Sequence, residues 1–390
     1  MENNRDAAIE NSSPKSLRQK RSLFYALGWI GLLAAWGCAS LETPFDSKQL
    51  LRRQYAEQVG ADTAKKIAIP FEIDDEVMTE FTAKVKPSGD DRSRVSRVLD
   101  FVFKGIDLTY SLTPTRNAVE TYHSREGNCL SFVNLFVGLA REVKLSPFYV
   151  EVTDYQRWDQ REGMVVSQGH IVAGMYIGGE LRTYDFLPYR VKAYKDFKPI
   201  DDLRATAHFY NNLGAEALLA GDLDQAMAWL EIAANIDPAF TKGINNLGVS
   251  YARKGDFDLA IALYHRGLEV DPDDVPLLTN LARAYQRQGQ IGEAEKILAK
   301  IEGYQNTNPF FFVYRAELAL SRDEHARALE YLREGLRRDS EVPEVHLALV
   351  KVYVALGEFG KARHHLGRSL TLDGTNTEAL RYAELLKDKP

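Results

Sequence analysis

Cysteine is scarce in this 390-residue chain, which holds only Cys38 and Cys129. One intramolecular disulfide is therefore the most it could form, and none forms if Cys38 is used otherwise. Positive charge is not in excess: the formal net charge is -6, which removes any general electrostatic reason to bind nucleic acid or an anionic membrane surface. No nucleic-acid partner is expected. The sequence also lacks a phosphate-cradling glycine loop, a dinucleotide fingerprint and a metal-ligand cluster, and its eight histidines are scattered. No cofactor and no metal are expected. No apolar run approaches the roughly 20 residues that a membrane-spanning helix needs.

What is present begins at the N-terminus. Lys15, Arg18, Lys20 and Arg21 precede an uncharged stretch from Ser22 to Trp36, rich in Leu, Ile, Phe and Ala. A basic lead-in followed by an apolar run of about 15 residues is a secretory signal pattern. Ala35-Trp36-Gly37-Cys38 follows it and resembles the lipobox of bacterial lipoproteins. That resemblance implies lipidation of Cys38 as the new N-terminus, in a bacterial cell envelope. Ala39, rather than Asp, after Cys38 implies the outer membrane, facing the periplasm. Cys129 would then remain a free thiol in an oxidising compartment, kept either for packing or for chemistry.

The reading along the chain is a signal peptide over 1–37, a lipid-anchored tether with a short helix over 38–66, and a mixed α/β domain over 67–200. Five helical repeats over 201–376 and a capping helix over 377–390 complete it. In the second part, apolar residues at helical spacing predict helices over Ile73 to Val85 and Arg94 to Lys104.

The repeats are set by period. Ala226, Ala260, Ala294, Ala328 and Ala362 lie 34 residues apart, and Leu213-Gly214, Leu247-Gly248 and Leu281-Ala282 keep the same register before them. Gly221, Gly255, Gly289 and Gly357, with Asp323 in the fourth unit, supply the turn between the two helices of each unit. Small residues at the first helix let the second approach, and Leu230, Tyr264, Leu298, Leu332 and Leu366 fill the space between hairpins. This pattern resembles the tetratricopeptide repeat (TPR) family, an all-α solenoid. The resemblance implies a concave surface made by the first helices, here presenting Lys242, Asn245, Arg253, Arg283 and Arg287 to an extended peptide with acidic groups or a free carboxylate. His364 and His365 fall on the last unit, where exposure is the ordinary expectation.

Chemistry is concentrated in the mixed domain. Phe132, Val133, Phe136, Val137 and Ala140 define one face of a helix that starts after Gly127-Asn128, with Asn128 as N-cap and Cys129 in the first turn. The unpaired N–H groups and the positive end of the helix dipole favour a thiolate there. A strand over Phe148 to Val152, a polar loop over Thr153 to Gly169, and a hairpin closed by Gly178-Gly179 follow. With Ile177 opposite Glu180, counting outward puts Val172 opposite Asp185, so His170 and Asp185 share a face as diagonal neighbours.

A helix-start cysteine, then a strand histidine, then an aspartate in the next strand resembles the transglutaminase-like core, a papain-like arrangement. Gly127-Asn128-Cys129 and Leu139-Ala140-Arg141-Glu142 carry the likeness, over about residues 70 to 195. It implies an α+β fold, Cys129 as nucleophile, His170 as general base and acid, Asp185 as the group orienting the imidazole, and the Cys129 N–H at the oxyanion. His123 has the ordinary reading of a surface histidine. Function is then cysteine acyl transfer on peptide or amide bonds, with hydrolysis favoured over cross-linking by analogy with bacterial relatives. The alternative is a non-catalytic scaffold with a degenerate core.

Overall fold

The computed structural model describes residues 44–161, 164–186, 196–302 and 308–389. The signal pattern and Cys38 lie outside the described residues. Among those described, no helix is long and apolar enough to cross a membrane.

The first two helices are α1 (Pro44–Val59) and α2 (Ala61–Ala64). Most of the stretch read as a tether is thus helical, and Leu51 and Tyr55 of α1 are fully buried. The correction has a tertiary cause. Eight charged or amide side chains hide the apolar pair in the sequence, but α1 lies against the first repeat, where Tyr55 Oη meets Thr206 Oγ1 at 2.7 Å. Burying two such side chains is worth about 2 kcal/mol each, enough to hold a helix of weak intrinsic amphipathicity in place.

Helices α3 (Asp75–Lys84) and α4 (Asp91–Asp100) follow, each capped by an aspartate, Asp74 and Asp90, that accepts a backbone N–H. A π-turn over Phe101–Gly105 continues α4. Then come β1 (Thr109–Tyr110), α5 (Ala118–Ser124), β2 (Glu126–Gly127) and α6 (Cys129–Glu142), with β1 and β2 paired in parallel. A four-stranded antiparallel sheet closes the domain: β3 (Phe148–Arg161), β4 (Met164–Ile177), β5 (Glu180–Tyr184) and β6 (Phe197–Ile200), in the order β5-β4-β3-β6.

The Gly-Gly hairpin forms with Ile177 opposite Glu180, and both glycines take positive φ, 60° and 84°. That pair of left-handed residues matches the twist of the flanking strands. The loop expected over 153–169 is instead strand on both sides, for β3 and β4 run on as a two-stranded ribbon to Arg161 and Met164. Cross-strand pairing supplies what the polar sequence there does not advertise.

Ten helices in five hairpins then stack: α7 (Asp202–Ala220) with α8 (Leu223–Ile236), α9 (Thr241–Lys254) with α10 (Phe257–Val270), and α11 (Val275–Arg287) with α12 (Ile291–Glu302). The last two pairs are α13 (Pro309–Leu320) with α14 (His325–Arg338) and α15 (Pro343–Ala355) with α16 (Phe359–Leu372), and α17 (Thr377–Leu386) covers the end. The five alanines at the 34-residue period are wholly buried at the crossings. Gly221, Gly255, Gly289 and Gly357 take φ between 72° and 89°, and Asp323 takes 59°, so every turn residue singled out in the sequence occupies the left-handed region. His364 is exposed as expected, but His365 is half-buried, its Nδ1 3.1 Å from that of His346 and its ring stacked on Tyr353.

The two parts share one apolar core. It runs without a break from Leu51 through α6 and the sheet to Ala233, Ile236 and Phe240 of the solenoid. Arg141 at the end of α6 adds a bidentate pair to Asp202 at the start of α7, at 2.7 and 2.8 Å. The mixed α/β domain and the first repeats are therefore packed as one body.

Candidate active site

Asn128 caps α6 as its position in the sequence predicts, its Oδ1 accepting from Ser131 N at 3.0 Å. Cys129 is the first helical residue, half-buried and free. Behind it the helix is buried on all sides, with Leu130, Phe132, Val133, Leu135, Phe136 and Val137 supplying most of the packing. A helix held that tightly fixes where its first turn points.

His170 sits on β4 opposite Val152, with only 2% of its side chain exposed. The β3–β4 register breaks immediately beyond it, between Val152 and Gln156. Such an irregularity bends a strand and re-aims its side chains, and it occurs here beside the strand histidine that the sequence marks for chemistry. Asp185 lies one residue past the β4–β5 ladder, which ends at Ala173 opposite Tyr184. Phe186 anchors the chain directly after it, its ring centroid 6.5 Å from Phe132 and 5.6 Å from Phe136 of α6.

These elements bring the three residues together. His170 Nε2 is 3.2 Å from Asp185 Oδ1, and the imidazole is in hydrogen-bonding reach of the Cys129 thiol. Burial alone would lower the imidazole's pKa, but hydrogen bonds and charge from Asp185 and Cys129 outweigh it and raise it to about 9. Asp185 and Cys129 thus both favour the protonated form of the imidazole. His123 is placed elsewhere, half-exposed on α5 and 3.8 Å from Asp74.

The surface expected to bind a partner is only partly open. Strand β4 lies against α7, α9 and α11, the first helices of the first three hairpins. Lys242 is consequently paired with Glu151 of β3, which also faces His208 at 3.6 Å. Burial would raise the Glu151 carboxyl, but His208 and Lys242 hold it well below the usual carboxylate range. Asn245 is buried and accepts from Asn280 Nδ2 at 2.8 Å. The expectation that these two residues face an open groove is therefore corrected: the chain's own sheet occupies that end.

Arg253, Arg283 and Arg287 do line a groove, of about 1240 Å³, that extends to Glu378. Arg253 donates to the Leu218 carbonyl at 2.7 Å, and Arg287 is exposed. Arg283 is the first member of an ion-pair ladder along the floor, with Glu317 at 3.0 Å, Lys351 at 3.3 Å from Glu317, and Glu378 at 3.0 Å from Lys351. The first three lie at one repeat position, 34 residues apart. Six carboxylates and four cations line the groove, so an acidic peptide is not the occupant that its charge favours.

Family models match both parts of the chain. Residues 79–186 match the model of the transglutaminase-like superfamily, and residues 207–231, 251–309 and 319–386 match models of the tetratricopeptide repeat. The chain carries a transglutaminase-like domain followed by a TPR solenoid. Among solved structures, a thermophilic TPR protein of Thermus thermophilus is similar at 19% identity, over 46% of this chain and 98% of that one, with a TM-score of 0.43. The pilF protein of Pseudomonas aeruginosa is similar at 25% identity, over 47% and 86%, with a TM-score of 0.39. MamA of Desulfovibrio magneticus is similar at 16% identity, over 44% and 97%, with a TM-score of 0.34. No curated protein matches the chain.

Proposed function

We propose that the protein is an envelope lipoprotein whose transglutaminase-like domain carries out cysteine acyl transfer on peptide or amide bonds, with water as acceptor. The solenoid holds the protein substrate or a partner. The observation that carries the chemical part is the placement of His170 between Asp185 and Cys129, with a raised pKa. The envelope part is supported by the basic and apolar leader and by Cys38.

The steps follow from the donor directions. Nε2–H of His170 donates to Asp185, which leaves Nδ1 to serve the thiol. Cys129 Sγ attacks the carbonyl carbon, and the oxyanion forms beside the first N–H groups of α6. His170 passes its proton to the leaving amine as the C–N bond breaks, giving a thioester. It then takes a proton from water, whose oxygen attacks the thioester, and the thiolate departs as the carboxylate product is released. Cross-linking would differ only in having an amine in place of water.

Asp185→Asn tests the orienting role. The amide keeps the shape but loses the charge, so His170 falls from its raised pKa. Hydrolysis of an activated ester, such as p-nitrophenyl acetate, should drop by at least about a hundredfold at neutral pH. Linkage gives a second readout. A histidine with a folded pKa near 9 stabilises the fold fully below its unfolded value of about 6.5, and that contribution fades as pH rises through about 9. The wild type should therefore lose melting temperature between pH 7 and 9.5 more steeply than the variant. Unchanged turnover with parallel pH curves would remove Asp185 from the mechanism.

A further inference from the structure

Glu216 is out of place in its repeat. The equivalent positions, 34 residues apart, are Ser250, Ala284, Leu318 and Val352, all small or apolar and all buried. Glu216 instead leaves the solenoid. Its Oε1 accepts from Thr115 N at 2.9 Å and from Thr115 Oγ1 at 2.6 Å, and its Oε2 accepts from Thr115 N at 3.0 Å.

The consequence lies in the direction of each hydrogen bond. An ionised carboxylate can only accept, so the Thr115 hydroxyl must donate to it. The hydroxyl oxygen is then an acceptor, and it takes Asn128 Nδ2 at 2.7 Å. That fixes which way the Asn128 amide points, with Oδ1 toward Ser131, where it accepts from Ser131 N and from Ser131 Oγ, both at 3.0 Å. Ser131 Oγ in turn accepts from Arg116 N at 2.8 Å, next to Thr115. Thr115, Asn128 and Ser131 are all buried, so water is not at hand to restore a lost partner. Asn128 is the cap of the helix whose first residue is Cys129.

We propose that Glu216 of the first solenoid helix is a positioning residue for Cys129, setting the polarity of the Thr115–Asn128 relay and so the cap of the nucleophile helix. This rests on the reading of Cys129 as nucleophile. The solenoid is thereby part of the active-site scaffold as well as a binding surface, and the functional unit extends past residue 186 into α7. Burial raises the Glu216 pKa against the pull of the Thr115 donors, so the carboxyl tends to take up a proton as pH falls. The relay is therefore weakest in acid.

The test is the rate of iodoacetamide alkylation at Cys129, followed on its own peptide by mass spectrometry in the full-length protein from pH 5.5 to 9, with melting temperature recorded alongside. Glu216→Ala and Thr115→Val should slow alkylation at pH 6.5 by about fivefold and move the profile toward an ordinary thiol, the effect of a lost cap on a helix-start thiolate. Glu216→Gln should fall between, since its oxygen can still accept where Oε1 does. Tyr55→Phe loses a different buried hydrogen bond to α7 and should lower the melting temperature without moving the profile. If Glu216→Ala and Thr115→Val behave like Tyr55→Phe, Glu216 only packs, and the proposal fails while the Cys129–His170 pair stands. A wild-type profile that is already that of an ordinary thiol, and insensitive to His170→Ala, would remove the nucleophile reading and this inference with it. Should Glu216→Ala fail to fold, Glu216→Gln and Thr115→Val decide by the same comparison.

Discussion

Cys129→Ala is expected to bring hydrolysis of an activated ester down to the solvent background, a loss of at least about a thousandfold, because the proposed acyl intermediate forms on the Cys129 sulfur. The fold should tolerate it. Cys129 is half-buried at the start of a helix, alanine is an excellent helix former, and the helix is held by the apolar residues behind it. A melting temperature within a few degrees of wild type is the expected control. The same variant separates the two readings of the whole protein. If the domain acts as an enzyme, cells carrying Cys129→Ala should show the phenotype of a full deletion. If it is a scaffold, Cys129→Ala should be silent, while removal of α13–α17 abolishes function.

Gly248→Leu should strongly destabilise the solenoid. A Cβ on Gly248 would lie 2.4 Å from Tyr264 Cε1 and 2.9 Å from Cδ1 and Cζ, and no real side chain sits that close. Tyr264 cannot swing away, because it is fully buried in a cluster shared by the first three hairpins. Relief must come from separating α9 and α10, at a cost of about 3 kcal/mol, against which the better helix propensity of leucine returns less than about 1 kcal/mol. The effect should travel, because β4 lies on α9 and α11, and Lys242 of α9 pairs with Glu151 of β3. Ester turnover should therefore fall together with thermal stability. Gly367→Ala provides the contrast, since a Cβ there meets nothing within 4 Å. It should leave stability equal or slightly raised. Equal melting temperatures for the two variants would mean that the close approach at Gly248 does not hold the hairpin together.

Much of this was legible in the residues because two kinds of periodicity are strict. The 34-residue alanine register fixes five hairpins, and the turn residues read from it all take the left-handed backbone such turns need. The Gly-Gly turn fixes a strand register by geometry, and from it alone His170 and Asp185 come out as neighbours, 3.2 Å apart in the structure. What the sequence hides is tertiary. The burial of Leu51 and Tyr55 is decided by the first repeat, not by the pattern of α1. The ribbon over 153–169 has a polar composition, and its strands exist because each pairs with the other. Lys242 and Asn245 looked exposed because a repeat read alone says nothing of the sheet laid on it. Glu216 did leave a trace, as a carboxylate at a repeat position otherwise small or apolar, a signal that appears only when the repeats are compared with one another.

The proposed mechanism depends first on an ion pair between Cys129 and His170. It is tested by the pH dependence of alkylation at Cys129 in the wild type and in His170→Ala. A thiolate-like rate should persist well below pH 8 in the wild type and be lost in the variant, whose rate should follow an ordinary thiol with a midpoint of about 8.5. A slow rate with that ordinary midpoint in both proteins would contradict it.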